Sequence, residues 1–255
     1  MNDGDGEFVQ IRKEEGIATL TLRRGKVNAL NAEAVEGLRR SFASVESERE
    51  VGAVVLTGAG KFFSFGFDIP ELFSLPKEGF SAYLREFTAL YRYLFLYPKP
   101  VVAALNGHAI AAGCMLALAC DHRVMGEGNA KISLNEATFG SSLFAGSVEM
   151  LRFWVGGTTA TEVAVSGAMF TAEEAKSRGL VHETVPADGL AAAARRAAAG
   201  LASRSPAAFA SIKGLLRGPV ADEMDRREPK SIEEFVEIWY SEETRAKLKK
   251  ITIGS

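Results

Sequence analysis

Two short segments of this chain carry residues that could together move a proton beside a carbonyl group. One holds a carboxylate, Glu136, preceded by an amide, Asn135, within Leu134-Asn135-Glu136-Ala137-Thr138-Phe139-Gly140. The other is a run of small residues, Ala111-Ala112-Gly113, that opens an apolar stretch reaching Ala119. Small residues at a helix start let a ligand approach the main chain, and the unpaired N–H groups there favour developing negative charge. N–H donors for an oxygen plus one carboxylate for the neighbouring carbon suffice for enolate chemistry.

The segments around these residues read as the parts that position them. Val101–Leu105 predicts a buried strand, Asn106-Gly107 a tight turn, Ala111–Ala119 a helix, and Asp121–Met125 a second strand whose following loop delivers Glu136. Upstream, Phe8–Lys13 and Ile17–Leu22 read as a hairpin. Asn31 is placed to cap a helix over Ala32–Ser47 with Val35, Leu38, Phe42 and Val45 on one face. Val51–Thr57 is a continuous apolar strand of the kind a parallel sheet covers on both sides. The four phenylalanines Phe62, Phe63, Phe65 and Phe67 are too dense for a solvated loop and fit either a core cluster or a pocket lining. Phe80–Tyr97 predicts a buried helix ended by Pro98 and Pro100.

Beyond Gly140 the pattern turns helical. Helices are predicted at Ser147–Val155 and, after a Gly156-Gly157-Thr158 turn, at Ala160–Ser166. Thr171-Ala172-Glu173-Glu174 is a capping box for a short helix stopped by Gly179, and Val181–Val185 is a short strand. Leu190–Ser203, Pro206–Leu216 and an amphipathic stretch from Ser231 to Ile251 complete the chain. The last stretch carries Phe235, Ile238, Trp239 and Leu248 as apolar anchors, which suit a subunit interface or an intramolecular dock equally. Strands alternating with helices, then helices alone, give an α/β core with its chemistry on loops.

Composition removes several function classes. A net charge of −2 in 255 residues, with no basic stripe, leaves no electrostatic footprint for nucleic acid. The two cysteines, Cys114 and Cys120, fit neither a disulfide framework nor a metal or redox spacing, and read as buried thiols in a reducing, cytoplasmic setting. The start lacks a basic-then-apolar leader, the end is not a peroxisomal address, and Asn106, Gly107 and His108 interrupt the longest apolar run before membrane-spanning length. Gly58-Ala59-Gly60-Lys61 lacks the Ser or Thr and the first glycine of a phosphate loop, so no nucleotide site is expected.

The segments SFGFD (64–68), NGHAIAAGC (106–114), ACDHRV (119–124) and LNEATFG (134–140) resemble the crotonase superfamily of enoyl-CoA hydratases and isomerases. They stand in family order, and the likeness runs on through GLVHETVP (179–186) into the helical end. The resemblance implies an α/β spiral of stacked ββα units over residues 1–190. A helical trimerisation region over 191–255 would give a homotrimer or dimer of trimers. It implies an acyl-CoA thioester as substrate, with coenzyme A part of that substrate, no separate cofactor and no metal. The thioester oxygen would be held by the backbone N–H groups of Phe67 and Ala112, with Phe65, Gly66, Asp68 and Ile69 lining the CoA side. Asn135 would shape the turn or hydrogen-bond the substrate. Hydratases of this family pair two glutamates; this chain has Glu136 but places Met115, expected as part of the apolar substrate lining, at the position of the other, in the manner of the Δ3,Δ2-enoyl-CoA isomerases. The expected activity is therefore a single-base shift of the double bond from 3-enoyl-CoA to trans-2-enoyl-CoA. Hydration with Glu149 as substitute acid, another single-carboxylate reaction such as decarboxylation, and non-catalytic acyl-CoA binding are the alternatives. His108 and His122 are expected to be structural, and Pro70 stands where hydratases often place a CoA-binding lysine, leaving Lys247, Lys249 and Lys250 as candidates for the phosphates.

Overall fold

Three times in succession the chain lays down a strand, turns tightly into a second, shorter strand, and leaves that strand for a helical segment. The computed structural model describes residues Phe8 to Ile251; the opening residues read above for a leader, and the chain end after Ile251, lie outside it. A hairpin of β1 (Val9–Glu14) and β2 (Ile17–Leu22) precedes helix α1 (Ala32–Glu46). The first turn of the spiral is β3 (Ala53–Gly58), β4 (Phe62–Ser64), α2 (Ile69–Leu72) and α3 (Lys77–Leu96). The second is β5 (Val101–Leu105), β6 (His108–Ile110) and α4 (Ala112–Ala119). The third is β7 (His122–Gly126), β8 (Ile132–Ser133), a 3-10 turn at Glu136–Phe139, α5 (Ala145–Ser166) and α6 (Ala172–Ser177). Strand β9 (Glu183–Val185) is followed by α7 (Leu190–Ala202), α8 (Pro206–Trp239) and α9 (Glu242–Leu248).

Each turn gives one strand to each of two sheets. The larger runs β1-β2-β3-β5-β7-β9, parallel except for the opening hairpin. The smaller runs β4-β6-β8, all parallel. Parallel neighbours need long crossovers, which the helices supply. Period-two alternation divides the large sheet between two apolar layers. Ala53, Val55, Val102 and Ala104 face α7, whose Ala193, Ala194 and Ala198 permit close approach. Val54, Leu56, Val101, Ala103 and Leu105 face the main core with α1, α3 and α4.

The turns between paired strands are fixed by two asparagines. Asn106 Oδ1 accepts from Gly58 N–H at 2.9 Å and Thr57 Oγ1 at 3.2 Å, while its Nδ2 donates to the Gly60 carbonyl at 3.0 Å. Buried Asn28, held at φ 51°, donates from Nδ2 to the carbonyls of Ala59 (3.0 Å) and Phe62 (2.8 Å). Adjacent turns thus stack closely at Gly107. A Cβ on Gly107 would fall 2.0 Å from the Lys61 carbonyl oxygen.

Most expected elements are present: Asn31 caps α1 through Ala34 N–H at 2.9 Å, and the Thr171–Glu174 capping box starts α6. The expected break at 156–158 is present: Gly156 is non-helical at φ 73° and divides α5 into two helical stretches. Two differences stand out. Strands β4, β6 and β8 carry no sequence signal, because two or three residues have no periodicity. The chain was expected to leave the helix at Leu216 and resume at Ser231, yet α8 runs unbroken through Pro219 and Pro229 to Trp239, and the break falls at Tyr240. Proline removes a helical N–H, but α8 buries Arg217, Ala221, Met224, Ile232 and Phe235 along its length against α3 and α5, and that packing overrides the local cost. From Leu190 onward the described elements are all helices, and their buried residues join an apolar core that extends from Val9 to Leu248. Among the described residues no helix is long and apolar enough to cross a membrane.

Replacing Gly107 by Ala forces the new methyl against the Lys61 backbone. Overpacking of this kind costs about 1–3 kcal/mol or more, a drop in melting temperature on the order of 5 °C. Gly200→Ala, in the open on α7, is the matched control and should melt at or slightly above the native temperature in the same calorimetric scan.

Candidate functional site

The three short strands of the small sheet all end at one edge, and each hands its next residues to the same place. After β4 come Phe65, Gly66 and Phe67; after β6, Ala111 and Ala112; after β8, Leu134, Asn135 and Glu136. The carboxyl ends of parallel strands are where α/β proteins commonly build sites.

Main-chain contacts lock these segments together. Ser64 Oγ donates to the Asn28 carbonyl (2.8 Å) and accepts from Gly66 N–H (3.1 Å). Leu30 pairs with Phe67 as a parallel bridge, using Leu30 N–H to the Gly66 carbonyl (2.7 Å) and Asp68 N–H to the Leu30 carbonyl (2.9 Å). That pattern leaves the N–H of Phe67 on the opposite side of its strand. Ala111 N–H donates to the Ser133 carbonyl at 2.8 Å. Ala112 is the first residue of α4, which no side chain caps, so its N–H has no partner within the helix. The two segments abut: a Cβ on Gly66, at φ 94°, would lie 2.8 Å from the Ile110 carbonyl oxygen and 3.2 Å from Ala112 N. A Cβ on Gly113 would lie 2.3 Å from the Ser64 carbonyl oxygen. Ala111 enters the helix at φ 51°, ψ −120°, a strained conformation for a residue with a Cβ and one typical of functional loops.

A cavity of about 140 Å³ opens at this edge. Phe65, Phe67, Ile69, Ala112, Asn135 and Glu136, all anticipated from the sequence, line it. Glu136 is only 4% exposed, and its Oε2 has no hydrogen-bond partner among the described residues. Burial in this apolar surrounding pushes its carboxyl up to about 8, opposed weakly by its own backbone N–H. Asn135 Oδ1 is likewise buried without a partner, while its carbonyl accepts from Thr138 Oγ1 (2.6 Å) and Thr138 N–H (3.0 Å), which forms the turn carrying Glu136.

Other anticipated residues lie outside the cavity wall. Gly66 sits behind it as the spacer just described. Asp68 caps α2 through Glu71 N–H (3.2 Å) and pairs with Arg24, contacts that fix the loop. Met115 is packed into the apolar core one turn along α4, its N–H bonded to the Ala111 carbonyl. Glu149, the candidate substitute acid, is tied to Arg227, lies 3.5 Å from Arg152 and is not among the residues lining the cavity. His122 stacks on His182 with ring centres 4.5 Å apart, and burial lowers both. His108 packs on Phe62. Lys247 reaches Glu243 (2.7 Å) and stands beside Gly140, next to the turn that carries Glu136. Among the described residues no cluster of His, Cys, Asp and Glu could hold a metal.

Sequence reasoning missed Phe139, Phe144 and Ile251 as lining residues and took Phe235 and Trp239 only as anchors of a docked or interfacial helix. The aromatic face of the C-terminal stretch was the available signal; that it folds back over Glu136 was not.

The sequence model of the enoyl-CoA hydratase/isomerase family matches residues 12–250. The chain is 34% identical over 209 residues to 2,3-dehydroadipyl-CoA hydratase of Escherichia coli, covering 81% of this chain and 80% of that one. It superimposes on human mitochondrial Δ3-Δ2-enoyl-CoA isomerase with a TM-score of 0.91, over 95% of each chain; at 24% identity this is a likeness of fold. An enoyl-CoA isomerase from Mycobacterium tuberculosis gives a TM-score of 0.83 at 28% identity, covering 90% of this chain and 99% of that one.

The raised Glu136 carboxyl has a consequence for folding. Between its ordinary range near 4.5 and its value of about 8 the folded state holds a proton that the unfolded state has lost. Its stabilising contribution is therefore present below the ordinary carboxylate range and fades as pH rises toward 8. Glu136→Gln, neutral throughout, escapes that loss. Melting temperatures of the two proteins measured from pH 5 to pH 8.5 should diverge, with the variant gaining as pH increases.

Proposed function

Since the chain belongs to the enoyl-CoA hydratase/isomerase family, we propose that it isomerises 3-enoyl-CoA thioesters to trans-2-enoyl-CoA with Glu136 as the single acid–base. The observation that carries this reading is that Glu136 is the one carboxylate on the cavity wall among the described residues, buried, unpaired and poised to exchange a proton near neutral pH.

The chemistry follows from that arrangement. The thioester oxygen accepts hydrogen bonds from the N–H groups of Phe67 and Ala112, which acidifies the protons on C2. The Glu136 carboxylate removes one of them, and the electron pair spreads over C2, C4 and the thioester oxygen as a dienolate. The same carboxyl returns the proton to C4, and the double bond is left between C2 and C3. No atom is gained or lost, and no cofactor is needed. Preorganised oxyanion donors of this kind contribute roughly 10²–10³-fold each, and a positioned base roughly 10²–10⁴-fold. The apolar wall excludes the water that would otherwise add to the conjugated product. Exposed Ile212, Leu215 and Leu216 on α8 support assembly through that helix into the homotrimer expected from the family.

Hydration is the second reading, favoured by the hydratase names of related proteins. It requires one group to activate water and another to protonate carbon. Met115 can do neither, and Glu149 is engaged with Arg152 and Arg227.

Purified protein given 3-hexenoyl-CoA should generate the conjugated 2-enoyl thioester, read by its ultraviolet absorbance. Glu136→Gln should lower kcat by at least 100-fold. Hydration of 2-hexenoyl-CoA faster than isomerisation of the 3-enoyl thioester would overturn the assignment. Because Glu136 must be ionised to begin, kcat/KM should climb tenfold per pH unit below about 8 and level off above it.

A further inference from the structure

The cavity has a direction. Phe65, Ala111, Asn135, Phe139 and Ile251 are half-buried and form its mouth, whereas Phe144, Phe235 and Trp239 are essentially inaccessible and form its floor. A ligand whose large polar end stays in water enters past the first group and ends against the second.

That floor is rigid. Phe144 stacks on Phe235 with centres 4.5 Å apart, and Trp239 lies 4.5 Å from Phe80. On the side wall, Phe67 meets Phe87 edge-on at 4.9 Å and Tyr83 at 5.2 Å, with the Tyr83 hydroxyl pinned to the Leu30 carbonyl at 2.9 Å. Rings interlocked in this way cannot rotate aside singly without breaking several contacts. The segment bringing Phe235 and Trp239 is itself tied down. Tyr240 donates to the Leu75 carbonyl, Arg245 to the Phe73 carbonyl at 2.9 Å, and Thr244 to the Gly140 carbonyl.

The space above the floor is about 140 Å³. An apolar cavity of about 150 Å³ in another protein accommodates one benzene molecule, six carbons. Here the same volume must hold the reacting carbons, because the residues that would grip the thioester are part of the wall.

From this we propose that Phe144, Phe235 and Trp239 set an upper limit on the acyl group, confining the site to short unbranched chains of about four to six carbons. The proposal builds on the acyl-CoA reading given above but does not depend on which reaction Glu136 performs. Longer chains meet the aromatic floor before the thioester reaches Phe67 and Ala112, so they lose affinity and turnover together.

Two measurements test this separately from the chemistry. Saturated acyl-CoAs, which cannot react, are titrated calorimetrically as a series from butyryl to dodecanoyl. Affinity should hold through hexanoyl and fall at least tenfold by decanoyl; dodecanoyl binding as tightly as hexanoyl would overturn the limit, whatever the reaction proves to be. With 3-enoyl-CoAs, kcat/KM should drop at least 100-fold between six and ten carbons. Trp239→Ala and the milder Phe235→Leu should each shrink that ratio tenfold or more by gaining on the longer chain. If binding shows the limit but no 3-enoyl-CoA turns over, the isomerase reading fails and the size limit stands. An unchanged binding series in a folded Phe235→Leu protein, shown by its melting transition, would remove the floor residues from the account.

Discussion

The site depends on three stretches of backbone lying closer together than side chains allow. Gly66 presses on Ile110 and Ala112, and Gly113 presses on the Ser64 carbonyl. The small parallel sheet makes this possible by ending β4, β6 and β8 at the same edge. Once the segments abut, the N–H groups of Phe67 and Ala112 have little freedom to point elsewhere, which is the preorganisation that the proposed oxyanion role requires. The strain at Ala111 belongs to the same arrangement, since the chain must reverse sharply from β6 into α4 to present Ala112 at all.

The fold treats its buried carboxylates in two opposite ways. Asp121 is held between Lys213 (2.8 Å) and Arg217 (3.0 Å), joining α8 to the start of β7. Burial still pulls the Lys213 ammonium down to about 8, which measures how apolar that seam is. Arg217 is further spread over Phe95 and Trp154, a common way of lodging a guanidinium in an interior. Glu136 receives no such partner. A paired carboxylate fixes architecture; an unpaired one in a dry cavity retains its capacity to take and give back a proton.

Much of this could be read from residues alone. The Asn106-Gly107 turn, the small-residue start of α4, the caps of α1 and α6, and Glu136 beside Asn135 are local features, because turn and cap chemistry depends on neighbours in sequence. The small sheet escaped notice because strands of two or three residues have no measurable period. The length of α8 escaped because Pro219 and Pro229 are local breakers outvoted by distant packing. The family likeness puts Asp68 on the CoA side, but its pairing with Arg24 and the packing of Met115 in the core come from tertiary folding. Phe144, Phe235, Trp239 and Ile251 reach the cavity through tertiary folding, to which no spacing rule in the sequence gives access.

The division of labour around the cavity also sets an order of assembly. Phe65, Phe67, Ala112, Asn135 and Glu136 are all in the chain by the time it reaches Glu136, but Phe235 and Trp239 of the cavity arrive only with the end of α8. During synthesis from the N-terminus, the carboxyl is therefore wet before it is dry. An open carboxyl in water has an ordinary acidity, so the raised value of Glu136 is latent in the first part of the chain and emerges with docking of the last.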